Sequence, residues 1–137
     1  MNRNLFTFAD LAVEKKLKKV RKANVLVRIH KLVNWDRLKT ILSNVDFRNT
    51  SHYGRDCYDP LKMFKVLFLQ ALYSFSNWDI EEHLHCNILF MQFCGFSIDS
   101  DLPDHSTIAR WRDRFIENNV YEIAFAEVND QLVWDSL

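Results

Sequence analysis

Apolar residues recur every three to four positions along much of the chain, which is the spacing of one buried face of an α-helix. The clearest segment is 104–115, where Ile108, Trp111 and Phe115 form an apolar stripe. Asp104 precedes the stripe as an N-cap, because its carboxylate can accept hydrogen bonds from free N–H groups of the first turn. The chain has only two Gly and two Pro, fewer than many strands and tight turns require. The pattern predicts an all-α fold.

Further helices follow from the same reasoning. Residues 7–22 read as a basic amphipathic helix. Residues 25–30 fit a strand through Val25, Val27 and Ile29 or a helix through Leu26 and Ile29, and we favour the helix because no partner strand is evident. Two further helices are predicted at 35–42, capped by Asn34, and at 61–75, capped by Asp59 with Pro60 at the first position. A third starts at a Ser76–Asp79 capping box and carries Trp78, Ile80 and Leu84. The last two are predicted at 88–94, which Gly95 ends, and at 120–134, beyond Asn118 and Asn119.

These elements predict a helical bundle. Residues 61–75 are apolar on nearly every side, which is typical of a central helix. We expect a basic N-terminal helical arm and loop at 1–55, a helical domain at 56–118 and a final helical segment at 119–137. The order of the three helices at 76–84, 88–94 and 106–115 is that of a helix-turn-helix-like unit.

The polar side of the last of these helices carries the candidate chemistry. Ser106, Thr107, Arg110 and Arg114 lie opposite the apolar stripe or at its edge. Hydroxyl and guanidinium groups in the first turns are what a recognition helix presents to base edges and phosphates. The alternative is a solvated surface helix whose arginines serve solubility. We predict that these four residues contact DNA.

Charge is segregated along a chain whose formal net charge is zero. Residues 1–40 hold eleven Lys or Arg against three Asp or Glu, and residues 41–137 hold seven against fifteen. The basic block either contacts phosphates or docks on the acidic remainder of its own chain. The candidate phosphate-contacting residues are Lys15, Lys16, Lys18, Lys19, Arg21 and Lys22.

The cysteines and histidines indicate neither a disulfide framework nor a metal site. The three cysteines are odd in number and form no C-x-x-C pair, which favours a reducing cytoplasm. The neighbouring His83, His85, Cys86 and Cys94 match no common zinc-ligand spacing, so we expect no metal and no other cofactor.

A membrane location is not expected. The longest apolar stretch, 61–75, contains Lys62, Lys65 and Gln70 and is shorter than the ~20 residues of a membrane span. The N-terminus also lacks the pattern of a secretory signal.

Two strings of residues resemble a known family. One is Pro103-Asp104-His105-Ser106-Thr107 followed by Arg110 and Arg112, and the other is Phe90-x-x-Phe93-Cys94-Gly95-Phe96. With Tyr58–Tyr73, Ser76, Asp79, Glu82 and Asn87, they resemble the N-terminal domain of InsH-type bacterial insertion-sequence transposases, the IS-five family. The resemblance covers roughly residues 56–132 and extends more loosely upstream to Asn34-Trp35-Asp36.

The resemblance implies a function in DNA transposition. In that family this helical region is taken to bind the terminal inverted repeats of the element, a double-stranded DNA partner, and to assist homo-oligomerisation. Strand transfer is done by a following RNase-H-like domain, whose DDE carboxylate triad binds two divalent metals. The family's first catalytic Asp would come shortly after the segment resembled by 125–132, and this sequence ends at Leu137.

We therefore expect a DNA-binding domain of a truncated insertion-sequence transposase, with no catalytic residues of its own and no cleavage of DNA. The alternatives are a helical oligomerisation module and a non-functional remnant of a transposase.

Overall fold

The computed structural model describes residues 25–45 and 58–135, together with Ala12. Those ranges form helices joined by turns, without strands, so the all-α prediction is confirmed. The helix predicted at 7–22, apart from Ala12, which is helical, lies outside the described residues, and so does the polar segment 48–56 at the end of the predicted arm and loop. The helices are α1 (Val25–Leu32), α2 (Trp35–Ser43), α3 (Pro60–Tyr73), α4 (Asn77–Cys86), α5 (Ile88–Cys94), α6 (His105–Glu117) and α7 (Tyr121–Asp135).

Local capping sets the helix boundaries, as the sequence predicted. At the start of α4 the Ser76 hydroxyl oxygen accepts from the Asp79 N–H at 3.0 Å, and the Asp79 carboxylate accepts from the Ser76 N–H at 3.2 Å. Asn87 ends α4 and caps α5, because its side-chain oxygen accepts from the Leu89 N–H. Gly95 ends α5 at a φ of 87°, in the left-handed region where glycine carries no steric penalty.

Helix α3 is the centre of the bundle. It packs against α2, α4, α5 and α6, and its eight consecutive residues from Met63 to Gln70 are all buried. Aromatic rings join it to its neighbours: the Phe64 ring stacks on Phe115 of α6, and the Phe68 ring stacks on Phe93 of α5. A helix that is apolar on nearly every side is stable only when other helices cover it, which explains its central place.

Helices α1 and α2 share this core. Helix α1 packs on α5 and α7, and α2 packs on α3 and α7. Leu26 and Ile29 of α1 and Leu38 of α2 belong to the same buried cluster as the α3 side chains. The helical interpretation of residues 25–30 is therefore confirmed.

Helices α4, α5 and α6 form a three-helix arrangement in which α4 contacts both of the others. A single residue, Asn87, joins α4 to α5, whereas the segment from Gly95 to Asp104 joins α5 to α6. The turn of a DNA-binding helix-turn-helix is three to four residues long. The α5–α6 connection is longer, so the helix-turn-helix-like unit stays a prediction. Among the described helices, none has the length and apolar character needed to cross a membrane.

Candidate nucleic-acid interface

The start of α6 is held by Asp104. One oxygen of its carboxylate accepts from the Thr107 N–H at 2.8 Å and from the Ser106 hydroxyl at 3.0 Å. The hydrogen bond from the Thr107 backbone is the main reason that the pKa of Asp104 falls from 3.8 to about 2. The cap is consequently ionised at neutral pH, where its negative charge also complements the positive end of the helix dipole.

A ring cluster lies beside this cap. The Trp78 side chain of α4 stacks on the His105 ring with ring centroids 3.5 Å apart. Glu81 accepts hydrogen bonds from the His105 backbone N–H at 2.7 Å and from His105 Nδ1 at 2.9 Å. The side-chain bond is the largest cause of the lowered pKa of Glu81. Glu81 and Trp78 thus fix the first turn of α6 onto α4, while 65% of Trp78 remains exposed.

The four predicted contact residues of α6 do not share one exposed face. Ser106 is exposed and Arg110 is partly exposed. Thr107 and Arg114 are buried, with only 6% and 7% of their surface accessible. The expectation that these two lie on the solvent side is wrong.

The reason is their position relative to Trp111. Thr107 and Arg114 lie four and three residues from it, which places both on the same side of the helix as this buried ring. The Arg114 guanidinium carbon sits 5.0 Å from the centre of the Trp111 ring, and the Thr107 hydroxyl oxygen accepts from Arg110 Nη2 at 3.2 Å. A cation over an indole face is a favourable arrangement, so the charge is tolerated inside the fold.

The basic segment predicted to attract DNA, Lys15, Lys16, Lys18, Lys19, Arg21 and Lys22, lies outside the described residues. Four cations that follow it on α1 and α2 are exposed: Arg28, Lys31, Arg37 and Lys39. Arg37 makes an ion pair with Glu127 of α7 at 3.6 Å. The positive character of the first forty residues therefore continues onto the surface of the bundle.

Sequence reasoning missed Arg112 as a functional candidate. Its Nη2 donates to the Gln70 side-chain oxygen at 2.6 Å and to the Asn77 side-chain oxygen, and Gln70 Nε2 donates to Asn77 at 2.7 Å. These residues line a cleft of about 460 Å³ between α3, α4, α6 and the start of α7. The available signal was Gln70, an amide in an otherwise apolar run, because a buried amide needs a polar partner.

Lys65, the other buried polar residue of α3, packs against aromatic rings. Its ammonium lies 4.4 Å from the centre of the Trp35 ring and 6.0 Å from that of Phe93, and 8% of the residue is exposed. Burial lowers the pKa of Lys65 and raises that of the neighbouring Cys94 thiol. Of the residues once considered for metal binding, Cys94 is thus a core residue, whereas Cys86 is exposed.

A family comparison assigns this helical region. The model of the family described as Transposase domain (DUF772) matches residues 14–114, which include α1 to α5 and most of α6. No solved structure matches the chain. The matched range covers well over half of the chain and contains the capped start of α6, the buried α3 and the network around Arg112. The chain therefore belongs to the transposase domain family DUF772.

Proposed function

We propose that this chain is the DNA-binding part of an InsH-type transposase of the IS-five family and that it recognises the terminal inverted repeats of its element. The observation that carries the proposal is the exposed side of α6. It is bounded by Arg110 on one edge and Arg112 on the other, and it begins at a firmly capped first turn. Membership of a transposase domain family supports a role in transposition.

The spacing of the two arginines suits a duplex. At 3.6 residues per turn, positions 110 and 112 are separated by about 160° across the exposed side of the helix. An α-helix fills the major groove, which is about 12 Å wide and has a phosphate backbone along each wall. Arginines on opposite edges of such a helix can each approach one wall, while Ser106, Ala109 and Asp113 between them face the bases, where a carboxylate can accept from a cytosine amino group.

We assign the sequence-independent attraction to DNA phosphates to the basic segment 15–22. Most acidic side chains of the described part lie on α3 to α7 and their connections, so this part does not attract phosphates over long distances. The basic segment supplies charge attraction to the DNA phosphates, and the capped helix α6 supplies contacts to the base edges. In this proposal α4 to α6 act as the helix-turn-helix-like unit, with α6 in the groove.

Fluorescence anisotropy with a labelled terminal-repeat duplex and a scrambled duplex tests the proposal. We expect Arg110→Ala to weaken binding to the terminal repeat by about 1–3 kcal/mol and to affect the scrambled duplex less. Thr107→Ala is the matched comparison within the same turn, and we expect it to act through folding because Thr107 is buried. Equal losses on both duplexes with Arg110→Ala would contradict base reading by α6.

We also propose that this chain does not by itself cut or join DNA. Three of its carboxylates, those of Asp59, Asp79 and Asp104, are engaged as helix caps or in the capping box. Two-metal strand transfer needs carboxylates that hold two ions about 4 Å apart. Incubation of the purified chain with a donor end, target DNA and Mg²⁺ or Mn²⁺ should yield neither nicked nor joined strands. Metal-dependent cleavage that disappears when an acidic residue of this chain is replaced would refute this part.

A helical oligomerisation module is the second candidate, and exposed apolar side chains favour it. Trp78, Ile116, Ile123 and Val133 are each more than half exposed. Exposed apolar side chains that form a contiguous patch mark protein contacts, so the module requires that some of these four residues lie together on the surface. Sedimentation equilibrium separates the candidates: an oligomer that persists without DNA and dissociates with Trp78→Ser or Ile123→Ser supports the module, whereas a monomer that binds duplex DNA supports the first proposal.

A further inference from the structure

The cleft beside Arg112 has an unusual excess of hydrogen-bond donors. Arg112 uses only Nη2 in its bonds to Gln70 and Asn77. Within residues 25–45 and 58–135, no acceptor takes the hydrogens of its Nε or Nη1, and no carboxylate lies within ion-pair distance of its guanidinium. Among the described residues, this positive charge is therefore held in a fixed orientation with no carboxylate paired to it.

Three further side chains at the same cleft have donors to spare. The Ser76 hydroxyl accepts from Asp79 and donates to no described residue. The Asn77 amide nitrogen and the Tyr121 hydroxyl likewise have no acceptor in the described part of the chain. All three residues line the cleft with Arg112. Asp79 of α4 is not among the lining residues, and its carboxylate accepts from the Ser76 N–H.

The two side-chain amides explain why the guanidinium stays in place. Gln70 is buried on α3, and its nitrogen donates to Asn77 while its oxygen accepts from Arg112. Both acceptors are neutral, so they orient the guanidinium without cancelling its charge. A guanidinium fork matches the paired oxygens of a phosphate, and the preorganised fork loses less conformational entropy on binding than a free side chain would.

We propose that this cleft binds a phosphate group and that its occupant is a backbone phosphate of duplex DNA. The inference rests on the proposed function, because Arg112 lies on the edge of α6 opposite Arg110, where one wall of the groove would pass. A cleft of about 460 Å³ is larger than a single carboxylate requires and is open on one side, as a continuous backbone demands. Arg112 fixes the phosphate, and Ser76, Asn77 and Tyr121 donate to its remaining oxygens.

The first measurement is the salt dependence of binding to a labelled 30-base-pair random duplex. Each phosphate contact contributes about 0.9 to the slope of log affinity against log salt. We expect Arg112→Gln to lower that slope by about this amount. Lys62→Gln is the control, since it removes one positive charge from a partly exposed residue of α3 that does not line the cleft, and its slope should equal that of the wild type.

The second measurement uses inorganic phosphate and does not depend on DNA. In ¹H–¹⁵N spectra, the Arg112 Nε–H signal, assigned by its loss in Arg112→Lys, should shift with phosphate and not with chloride at equal ionic strength. Tyr121→Phe removes one donor outside the Arg112 network, so it covers the case in which Arg112→Gln does not fold. We expect it to weaken phosphate binding about 2- to 10-fold, the range of one neutral hydrogen bond.

The outcomes separate the two proposals. Wild-type binding to the duplex with an unchanged slope in a folded Arg112→Gln overturns the phosphate cleft and leaves the proposed function intact. Absence of duplex binding by the wild type overturns the proposed function and the DNA source, while a phosphate-dependent Arg112 signal would then support the phosphate site alone. An Arg112 signal that responds equally to chloride overturns the site.

Discussion

Helices α3 and α6 both contribute to the core, but they differ in how much of their circumference is covered. Eight consecutive residues of α3 are buried, so its polar side chains must be accommodated inside the fold. Helix α6 buries only one side and keeps an exposed side between Arg110 and Arg112. The buried polar residues of α3 act inside the fold, Lys65 in packing and Gln70 in orienting Arg112, whereas a polar residue of α6 serves packing or recognition according to its angle around the helix.

The buried side of α6 should give the largest loss of stability. We expect Trp111→Ala to lower the free energy of unfolding by about 3–5 kcal/mol, because it removes a 2% exposed indole and leaves a cavity under Arg114. Urea denaturation followed by circular dichroism measures the change. An unaltered transition midpoint would mean that α6 is rotated differently against the core.

Substitutions of Lys65 test whether the buried part of α3 accommodates an ammonium but not a carboxylate. We expect Lys65→Met to leave the unfolding free energy unchanged or higher, because an apolar side chain of similar length avoids burying an ammonium. Lys65→Glu should cost about 3 kcal/mol or more, since an unpaired carboxylate would face the electron-rich faces of Trp35 and Phe93. Lys39→Glu on the exposed part of α2 is the control, and equal losses in the two glutamate variants would contradict a structural role for Lys65.

The cap of α6 should show a defined pH dependence. The pKa of Asp104 is about 2 in the folded chain and 3.8 ordinarily, so its stabilising effect is complete above pH 4 and is lost as the pH falls toward 2. Asp104→Ala should cost about 1 kcal/mol at pH 7, the usual value of an N-cap.

Asp104→Asn separates capping from charge. It keeps a capping oxygen and should show a weaker fall in stability between pH 4 and pH 2, measured by urea denaturation at both values. Glu81, whose pKa is also lowered, contributes to the pH dependence of stability in a neighbouring pH range. Because Glu81 is present in both proteins, its contribution cancels in the comparison. Identical acid profiles of the wild type and Asp104→Asn would show that this carboxylate is not responsible.

The smallest effect is expected on the exposed side of α6. Ile116→Ala should change the unfolding free energy by no more than about 0.5 kcal/mol, because half of this side chain is already in solvent. Ile108→Ala is the matched control on the same helix, and its complete burial predicts a loss of about 2–5 kcal/mol. Similar losses at the two positions would contradict the division of α6 into a buried and an exposed side.

Much of the secondary structure was predictable because its signals are local. Capping by Asn34, Asp59, Ser76 and Asp104 involves residues two or three positions away. Gly95 ends α5 because it adopts the left-handed backbone conformation, which does not continue a right-handed helix. The uniform apolarity of residues 61–75 likewise indicated a central helix, because such a segment is stable only when it is covered.

The candidate site was less predictable because side-chain burial is decided by partners distant in sequence. Helical periodicity placed Ile108, Trp111 and Phe115 correctly on the buried side of α6, yet the width of that side depends on how α3, α4 and α7 pack against it. That packing covers Thr107 and Arg114 and leaves Ser106 exposed. Two arginines four residues apart, Arg110 and Arg114, consequently have different surroundings.

Local patterns along the chain specify where most helices start and stop and which helix is central, since these features depend on hydrogen bonds and apolar periodicity within one segment. The surroundings of Arg112 depend instead on helix packing, because Gln70 and Asn77 are 42 and 35 residues away along the chain and meet it only when α3, α4 and α6 pack together. The donor-rich cleft is formed by four helices together, so it cannot be read from the spacing of residues in any one helix.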